Sequence, residues 1–346
     1  MSPIFRCVAV FFLVSLPLLA DKGKNLYFHR ESHTPQAAGP AGPWLTGPLL
    51  TPTSQTVAAG YMNIEPYVYF NVFTGAYGND WNKVSAPNFY NVNFSLPAYF
   101  GLTEWMDIQI LPQANYNKTQ GTSSLVFGDF LFTADFQLLR ETPENSLPGL
   151  KFYVLETFPT GSYQKLKPER LRTDAGGKGS FQTEVGLVIG RLIHISGVYY
   201  ANLRLNPFYN YLAPVHIKGF NFYGGSRDTS GRIYPGSQIG YFFGAEFTLS
   251  KNWAFAFDSV GFYTTKTHFS GRPGTNPKTG APNVLSLPPQ WQFSFAPAIE
   301  YNFSQSVGII AGSWFTVAGR NSPRFISGVL AINYYGPAPF YHPRNP

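Results

Sequence analysis

Apolar and polar residues alternate along residues 101–117, GLTEWMDIQILPQANYN. One parity is mostly apolar and the other mostly polar: Met106, Ile108, Ile110, Pro112, Ala114 and Tyr116 against Asp107, Gln109, Leu111, Gln113, Asn115 and Asn117. A period of two predicts a β-strand with two unlike faces, because successive side chains point to opposite sides of a sheet. Soluble strands usually have about five or six residues, whereas a membrane-spanning strand needs about 9 to 11. The length therefore favours a strand that crosses a membrane.

Similar alternation recurs along most of the chain. We find twelve such segments, at residues 60–72, 88–100, 101–117, 128–139, 150–160, 180–190, 195–205, 237–249, 253–264, 291–302, 307–317 and 325–335. The fifth is ambiguous, because Glu156 shares its parity with Phe152 and Val154. The pattern predicts an all-β fold, a transmembrane antiparallel up-and-down β-barrel of about 12 strands.

The connections between these segments alternate in length. Short turns are predicted at residues 101–104, 140–149, 191–194, 250–252 and 303–306. Longer loops are predicted at residues 74–87, 118–127, 161–179, 206–236 and 266–290, and the last loop, 318–324, is brief. Outer-membrane barrels have an even strand number, short periplasmic turns and longer external loops. The N-terminal and C-terminal ends of the barrel chain are therefore both expected in the periplasm.

Composition agrees with a membrane protein that crosses by strands. Charged residues make up 12% of the 346 residues and aromatic residues 17%, against about 25% charged residues in soluble domains. After residue 20 no apolar run reaches the roughly 18 residues of a transmembrane helix.

The first twenty residues have the layout of a secretory signal peptide, with Arg6 before an apolar stretch and Ala20 at its end. A single membrane anchor is the alternative. Residues 1–20 are thus predicted as signal peptide, 21–56 as an irregular periplasmic or plugging segment, 57–335 as barrel and 336–346 as a C-terminal tail. The only cysteine, Cys7, lies in the predicted signal, so no disulfide or cysteine-ligated metal site is expected after cleavage.

Charged residues within the strands are expected to face inward, because Arg or Lys at mid-depth on the lipid side costs about 2–4 kcal/mol and acids somewhat less. The predicted lumen-lining residues are Glu65, Asp107, Asp129, Asp135, Glu184, Arg204, Glu246, Asp258 and Glu300. The acids either select cations and orient a solute, or pair with Arg204 and its neighbours and fill the lumen.

Several motifs resemble the outer-membrane family called MetA-pathway of phenol degradation. The resemblance rests on GLTEWMDIQI at 101–110, GDFLFTADFQLL at 128–139, FPTG at 158–161, GSFQTEVGLVIGR at 179–191 and FAPAIEYNFSQSVGIIAG at 295–312. It implies a barrel associated with the uptake of small, aromatic or hydrophobic molecules. The tail after Tyr335 departs from the family pattern.

The formal net charge is +7, and basic residues outnumber acidic ones in the predicted outer loops. These side chains either contact lipopolysaccharide phosphates or draw anionic solutes towards the mouth. Nucleic-acid binding is not expected, because the basic residues are scattered over several loops. The partners predicted are therefore outer-membrane lipid, lipopolysaccharide and a small-molecule solute.

We predict an outer-membrane channel or transporter for passive or facilitated passage of a small solute. The alternative is a structural or surface barrel with an occluded lumen. No catalytic, cofactor-binding or metal-ligating residue is predicted, since the six histidines show no convincing metal spacing. A lipid hydrolase is the enzyme alternative, with His268 near Ser270 as its only candidate pair.

Overall fold

A computed structural model describes residues 42–142, 147–276 and 279–339. All of them belong to one compact unit. The predicted signal peptide and residues 21–41 lie outside the described residues. No helix among the described residues is long and apolar enough to cross a membrane.

Strands dominate the described residues. They are β1 (Tyr61–Ile64), β2 (Tyr67–Tyr77), β3 (Lys83–Ser95), β4 (Ala98–Thr103), β5 (Met106–Leu111), β6 (Gln113–Thr119), β7 (Thr122–Phe127), β8 (Phe130–Leu139), β9 (Gly149–Phe158), β10 (Gln182–Ser196), β11 (Tyr199–Leu212), β12 (Val215–Lys218), β13 (Ser230–Tyr234), β14 (Gln238–Thr248), β15 (Trp253–Thr264), β16 (His268–Arg272), β17 (Gln290–Asn302), β18 (Val307–Arg320) and β19 (Pro323–Pro337). A short 3-10 turn, Pro168–Arg170, lies between β9 and β10.

Sixteen of these strands form one antiparallel sheet that closes on itself, because β19 pairs with both β1 and β2. The pairs β1/β2, β3/β4, β5/β6 and β7/β8 are halves of four long strands, so the wall has twelve strands. Hydrocarbon offers no hydrogen-bond partners to backbone N–H and C=O groups, and a closed sheet provides these partners within the protein. The predicted antiparallel 12-stranded barrel is confirmed.

The first four wall strands are interrupted at one level. Pro66, Pro97 and Pro112 separate the halves of the first three, and Gly128 with Asp129 separates those of the fourth. Proline has no N–H to donate to the ladder. Backbone hydrogen bonds bridge the breaks, among them those from the Glu65 amide to the Pro97 carbonyl (2.9 Å), from the Leu96 amide to the Pro112 carbonyl (3.1 Å) and from the Gly128 amide to the Gln113 carbonyl (2.8 Å). The ladder is therefore interrupted along this line, but hydrogen bonds still connect neighbouring strands there.

One predicted turn is wrong. Residues 191–194 belong to β10, where Arg191 pairs with Leu203 and His194 with Tyr200. The chain reverses instead just after β10, where Gly197 has a φ of 53°. A glycine adopts this left-handed conformation without the steric cost of a side chain.

Three predicted outer loops contain strands. Residues 118–127 include the end of β6 and all of β7, joined by a turn in which Gln120 and Gly121 both have positive φ, as in tight hairpins. Residues 206–236 include the end of β11 with β12 and β13, and residues 266–290 include β16. Strands β12, β13 and β16 form a separate three-stranded sheet. Strands β7, β12, β13 and β16 are too short to show the long alternation that revealed the wall strands.

Candidate functional site

Residues 42–60 run along the inside of the wall. Backbone or side-chain groups of this segment, called here the inner segment, contact β17, β15, β11, β8 and β5 in turn. A single stretch of chain can reach strands on so many sides only from within the barrel. The inner segment therefore identifies the inward-facing side of each strand.

Buried acids on the wall hold the inner segment. Asp258 accepts hydrogen bonds from the amides of Leu50 (3.2 Å) and Thr51 (2.9 Å) and from the Thr51 hydroxyl (2.6 Å). Glu300 accepts one from the Thr46 amide (2.9 Å). Hydrogen bonds to a carboxylate are among the stronger ones in proteins.

The far end of the inner segment is held in the same way. The Val57 amide donates to Asp107, and the Thr56 amide donates to Gln137 Oε1 (2.7 Å). A side chain at Gly101 would collide with the carbonyl of Ala58, at 1.9 Å from the added carbon. The segment thus lies tightly against β4, β5 and β8.

The acids form two similar series, each with one cation. Lys151 Nζ lies 2.8 Å from Asp135, which is the register partner of Asp107 on the neighbouring strand. Arg204 Nη2 lies 3.0 Å from Glu246, which also accepts a hydrogen bond from the Asn202 side chain at 2.8 Å. Each cation thus pairs with one buried acid, while Asp107 and Glu300 accept hydrogen bonds from the inner segment.

The remaining predicted lumen-lining acids lie apart from the inner segment. Glu184 accepts a hydrogen bond from the Tyr153 hydroxyl (2.7 Å). Glu65 accepts hydrogen bonds from the side-chain amides of Asn63 and Asn333, both at 2.8 Å. Asp129 accepts hydrogen bonds from backbone amides of the loop after β9. The nine predicted residues thus share no single cluster, and their lumen-lining role stays a prediction.

Two groups of inner residues were not among the predicted lumen-lining residues. One is Lys151, whose partner Asp135 is predicted but whose own inward position follows only from the alternation of β9. The other is an amide ladder on β2, β3 and β6, which joins Asn71, Asn91, Asn93, Asn115 and Asn117 directly or through shared acceptors. Alternating asparagines at 91 and 93 and at 115 and 117 were the available signal.

The interior is filled on one side and accessible on the other. Leu49 packs on inward-facing residues of β15, β17, β18 and β19, namely Ala256, Ala296, Ala298, Ile310, Val329 and Ala331, all of them buried. The ladder residues Asn91, Asn93 and Asn115 are only partly buried, whereas Tyr67 and Tyr69 of β2 pack against the Leu49 cluster. The inward side of β3 and β6 is therefore less fully covered than that of β15, β17, β18 and β19.

The ambiguous Glu156 lies on the outer face. Its neighbours Lys151, Tyr153 and Thr157 are inward and buried, so Glu156 shares the outward face with Phe152. The Thr183 hydroxyl donates to its carboxylate at 2.7 Å. This bond partly compensates the free-energy cost of placing an acid on the outward, apolar face.

The wall has one unpaired edge. Strand β7 pairs with β6, but no described strand pairs with its other edge, because β9 ends at Phe158 opposite the start of β8. The outward side chains Leu125 and Phe127 are 71% and 82% exposed. An open cleft of about 320 Å³ lies beside this edge, lined by Ser124, Leu125, Val126, Lys167, Arg170 and Asp174.

The loop after β9 covers the inner side of this edge. Asp129 accepts hydrogen bonds from the amides of Gly161 (3.0 Å) and Lys178 (3.1 Å). Asn117 donates to the Thr173 carbonyl (2.9 Å), and Arg170 donates to the Ser123 carbonyl (2.7 Å). Asp129 thus fixes both ends of the loop at the break in the fourth wall strand.

Replacing Asp129 by Ala should loosen this loop, because two backbone amides lose a charged acceptor worth about 1.5–3 kcal/mol for each bond. We expect faster trypsin cleavage at the loop's exposed basic residues in the folded barrel. The matched control is Asp80→Ala, which removes an exposed acid from another outer turn. Equal cleavage rates in the two variants would show that Asp129 does not hold the loop.

The candidate pair of the enzyme alternative, His268 and Ser270, lies on β16, with the His268 ring 5.9 Å from that of Tyr234. Among the described residues, no group of His, Cys, Asp and Glu is arranged to hold a metal ion.

Several solved structures match this chain. The COG4313 outer membrane channel from Pseudomonas putida F1 has a TM-score of 0.62 and 15% identity, and the match covers 82% of this chain and 98% of that one. The NanC porin has a TM-score of 0.38 and 7% identity, with 78% and 98% covered. The translocator domain of the autotransporter NalP from Neisseria meningitidis has a TM-score of 0.39 and 10% identity, with 80% and 88% covered.

The first of these similarities shows the fold, which is that of a bacterial outer-membrane β-barrel, as the alternation predicts. No protein-family model and no curated protein matches the chain. The resemblance to the MetA-pathway of phenol degradation family therefore stays a prediction.

Proposed function

We propose that this chain is a narrow outer-membrane channel for small solutes. The observation that carries the proposal is the uneven interior, filled by the inner segment on one side and lined by partly buried asparagines of β3 and β6 on the other. A barrel with a purely structural role has no need of inward polar side chains that remain accessible. The inner segment acts as a plug that narrows the path in the half nearest the termini.

The lining suits a solute with an apolar body and a hydroxyl group. Tyr67 and Tyr69 stack with ring centroids 5.6 Å apart, and aromatic side chains offer apolar contact with a polar tip. The amide ladder supplies both donors and acceptors. Small phenol-like molecules combine these features, in agreement with the family resemblance. The unpaired edge of β7, flanked by Leu125 and Phe127, gives apolar solutes an additional path towards lipid.

A liposome swelling assay tests this proposal with a matched pair of variants. Wild-type barrels should admit phenol faster than sugars of similar size. Asn91→Phe places a bulky ring in the open space and should slow the uptake several-fold. Val92→Phe places the same ring on the outward face of the same strand and should leave the uptake unchanged.

Two outcomes would contradict the proposal. If wild-type vesicles show neither swelling nor single-channel conductance, the barrel is an occluded structural protein. If Asn91→Phe and Val92→Phe behave alike, solutes do not follow the ladder.

A further inference from the structure

The small sheet formed by β12, β13 and β16 has two unlike faces. On one face Val215, Ile217 and Ile233 are buried and pack with Leu285. The side chains of the other face are all exposed: His216, Lys218, Ser230, Arg232, Tyr234, His268, Ser270 and Arg272. The exposed face therefore carries three permanent cations and two histidines. We call it the basic face.

Strand register brings these groups together. Arg232 lies between His216 and Ser270, and Ser230 lies between Lys218 and Arg272. Neighbouring strands are about 4.8 Å apart, and residues two apart on a strand are separated by about 7 Å. Arg232 Nη2 is 2.8 Å from His216 Nε2. Lys218, Arg232 and Arg272 thus form a compact two-dimensional array.

The strand positions of this face contain no acid. The nearby turn before β13 carries Asp228, and the Ser226 hydroxyl and the Thr275 amide hold the pKa of that carboxyl below its usual value. Arg272 also favours its ionised form. A single anion with partners of its own leaves most of the positive charge of the basic face unbalanced.

Folding does not require such an arrangement. Like charges on neighbouring strands destabilise a sheet, and the apolar core under this sheet would form equally well with serine or threonine on the exposed positions. A ligand with several negative charges would relieve the repulsion. Arginine forks and lysine ammonium groups are the side chains that bind phosphate most effectively.

We propose that the basic face binds the phosphorylated saccharide of lipopolysaccharide. The sheet lies in the loops between β11 and β14 and between β15 and β17, at the end opposite the chain termini. Longer loops mark the external end of such barrels, where this lipid presents several phosphates on one rigid saccharide. Several phosphates held at fixed spacing match a fixed array of cations better than one free anion does.

The test compares two double variants that each remove two positive charges from exposed positions of the outer rim. Arg232→Gln with Arg272→Gln changes the basic face, and Lys83→Gln with Lys118→Gln is the control. Binding of purified lipopolysaccharide to the full barrel in detergent is measured by surface plasmon resonance. We expect the first variant to bind about tenfold or more weakly, given the strength of charge-assisted hydrogen bonds, and the control to bind nearly as well as wild type.

Two further probes separate the ligand sources. Dephosphorylated lipopolysaccharide should bind wild type as weakly as the intact lipid binds the arginine variant. Inorganic phosphate should compete only weakly; if it binds as tightly as the lipid, the face attracts free anions and the proposal is wrong. Equal losses in the two double variants would also overturn it. Unchanged strand circular dichroism in both variants excludes misfolding.

Discussion

Replacing Asp258 by Ala should release the inner segment and raise the single-channel conductance several-fold. Asp258 accepts three hydrogen bonds from Leu50 and Thr51, and bonds to a charged group contribute about 1.5–3 kcal/mol each. Burial of Leu49 alone contributes only about 2 kcal/mol. The carboxylate is therefore the larger of the two attachments, and its loss should free the middle of the segment.

Cysteine labelling detects this release directly. Cys7 is the only cysteine of the chain, so with Cys7 replaced by Ser, a Ser54→Cys substitution reports on one position. Ser54 is 2% exposed, and a membrane-impermeant maleimide should label it slowly in the parent and quickly beside Asp258→Ala. Glu184→Ala is the matched control, because it removes an inner acid that bonds Tyr153 rather than the segment. Slow labelling and unchanged conductance in the Asp258 variant would show that the plug is held by other contacts.

Alternation predicted the wall because a barrel in lipid imposes the same two environments on every strand. All twelve wall strands overlap the predicted segments, and Trp253–Thr264 agrees with its prediction to the residue. The breaks at Pro66, Pro97 and Pro112 were not predicted, although each proline is visible in the sequence. Period-two reasoning follows side chains, whereas these breaks arise from a missing backbone N–H.

The interior was harder to predict than the wall. The sequence indicates that Asp107, Asp258 and Glu300 face inward, but not that residues 46–57 provide their hydrogen-bond donors. Those donors are mostly backbone amides, which carry no residue-specific signal, and they come from a segment 50 to 254 positions away. The basic face was hidden for a related reason. Its cations lie on three short strands in two loops, and only the register places them side by side.

Replacing Arg204 by Met should lower the free energy of unfolding by about 3–5 kcal/mol, the usual cost of removing one partner from a buried ion pair. Arg204 is 7% exposed and pairs with Glu246 at 3.0 Å. Without Arg204, Glu246 keeps only the hydrogen bond from Asn202, and its buried charge has no ion-pair partner among the described residues. Met preserves most of the apolar stem, which isolates the effect of charge.

The free energy is measured by guanidinium titration of barrels in lipid vesicles. Arg191→Met is the control, since its side chain lies on β10 near the turn at Gly197 and should change stability by less than about 0.5 kcal/mol. Adding Glu246→Leu to Arg204→Met should restore most of the loss, because it removes the buried carboxylate that the single variant leaves without a cation. If the double variant is as unstable as the single one, packing of the Arg204 guanidinium against Gly47, rather than its charge, stabilises this part of the barrel.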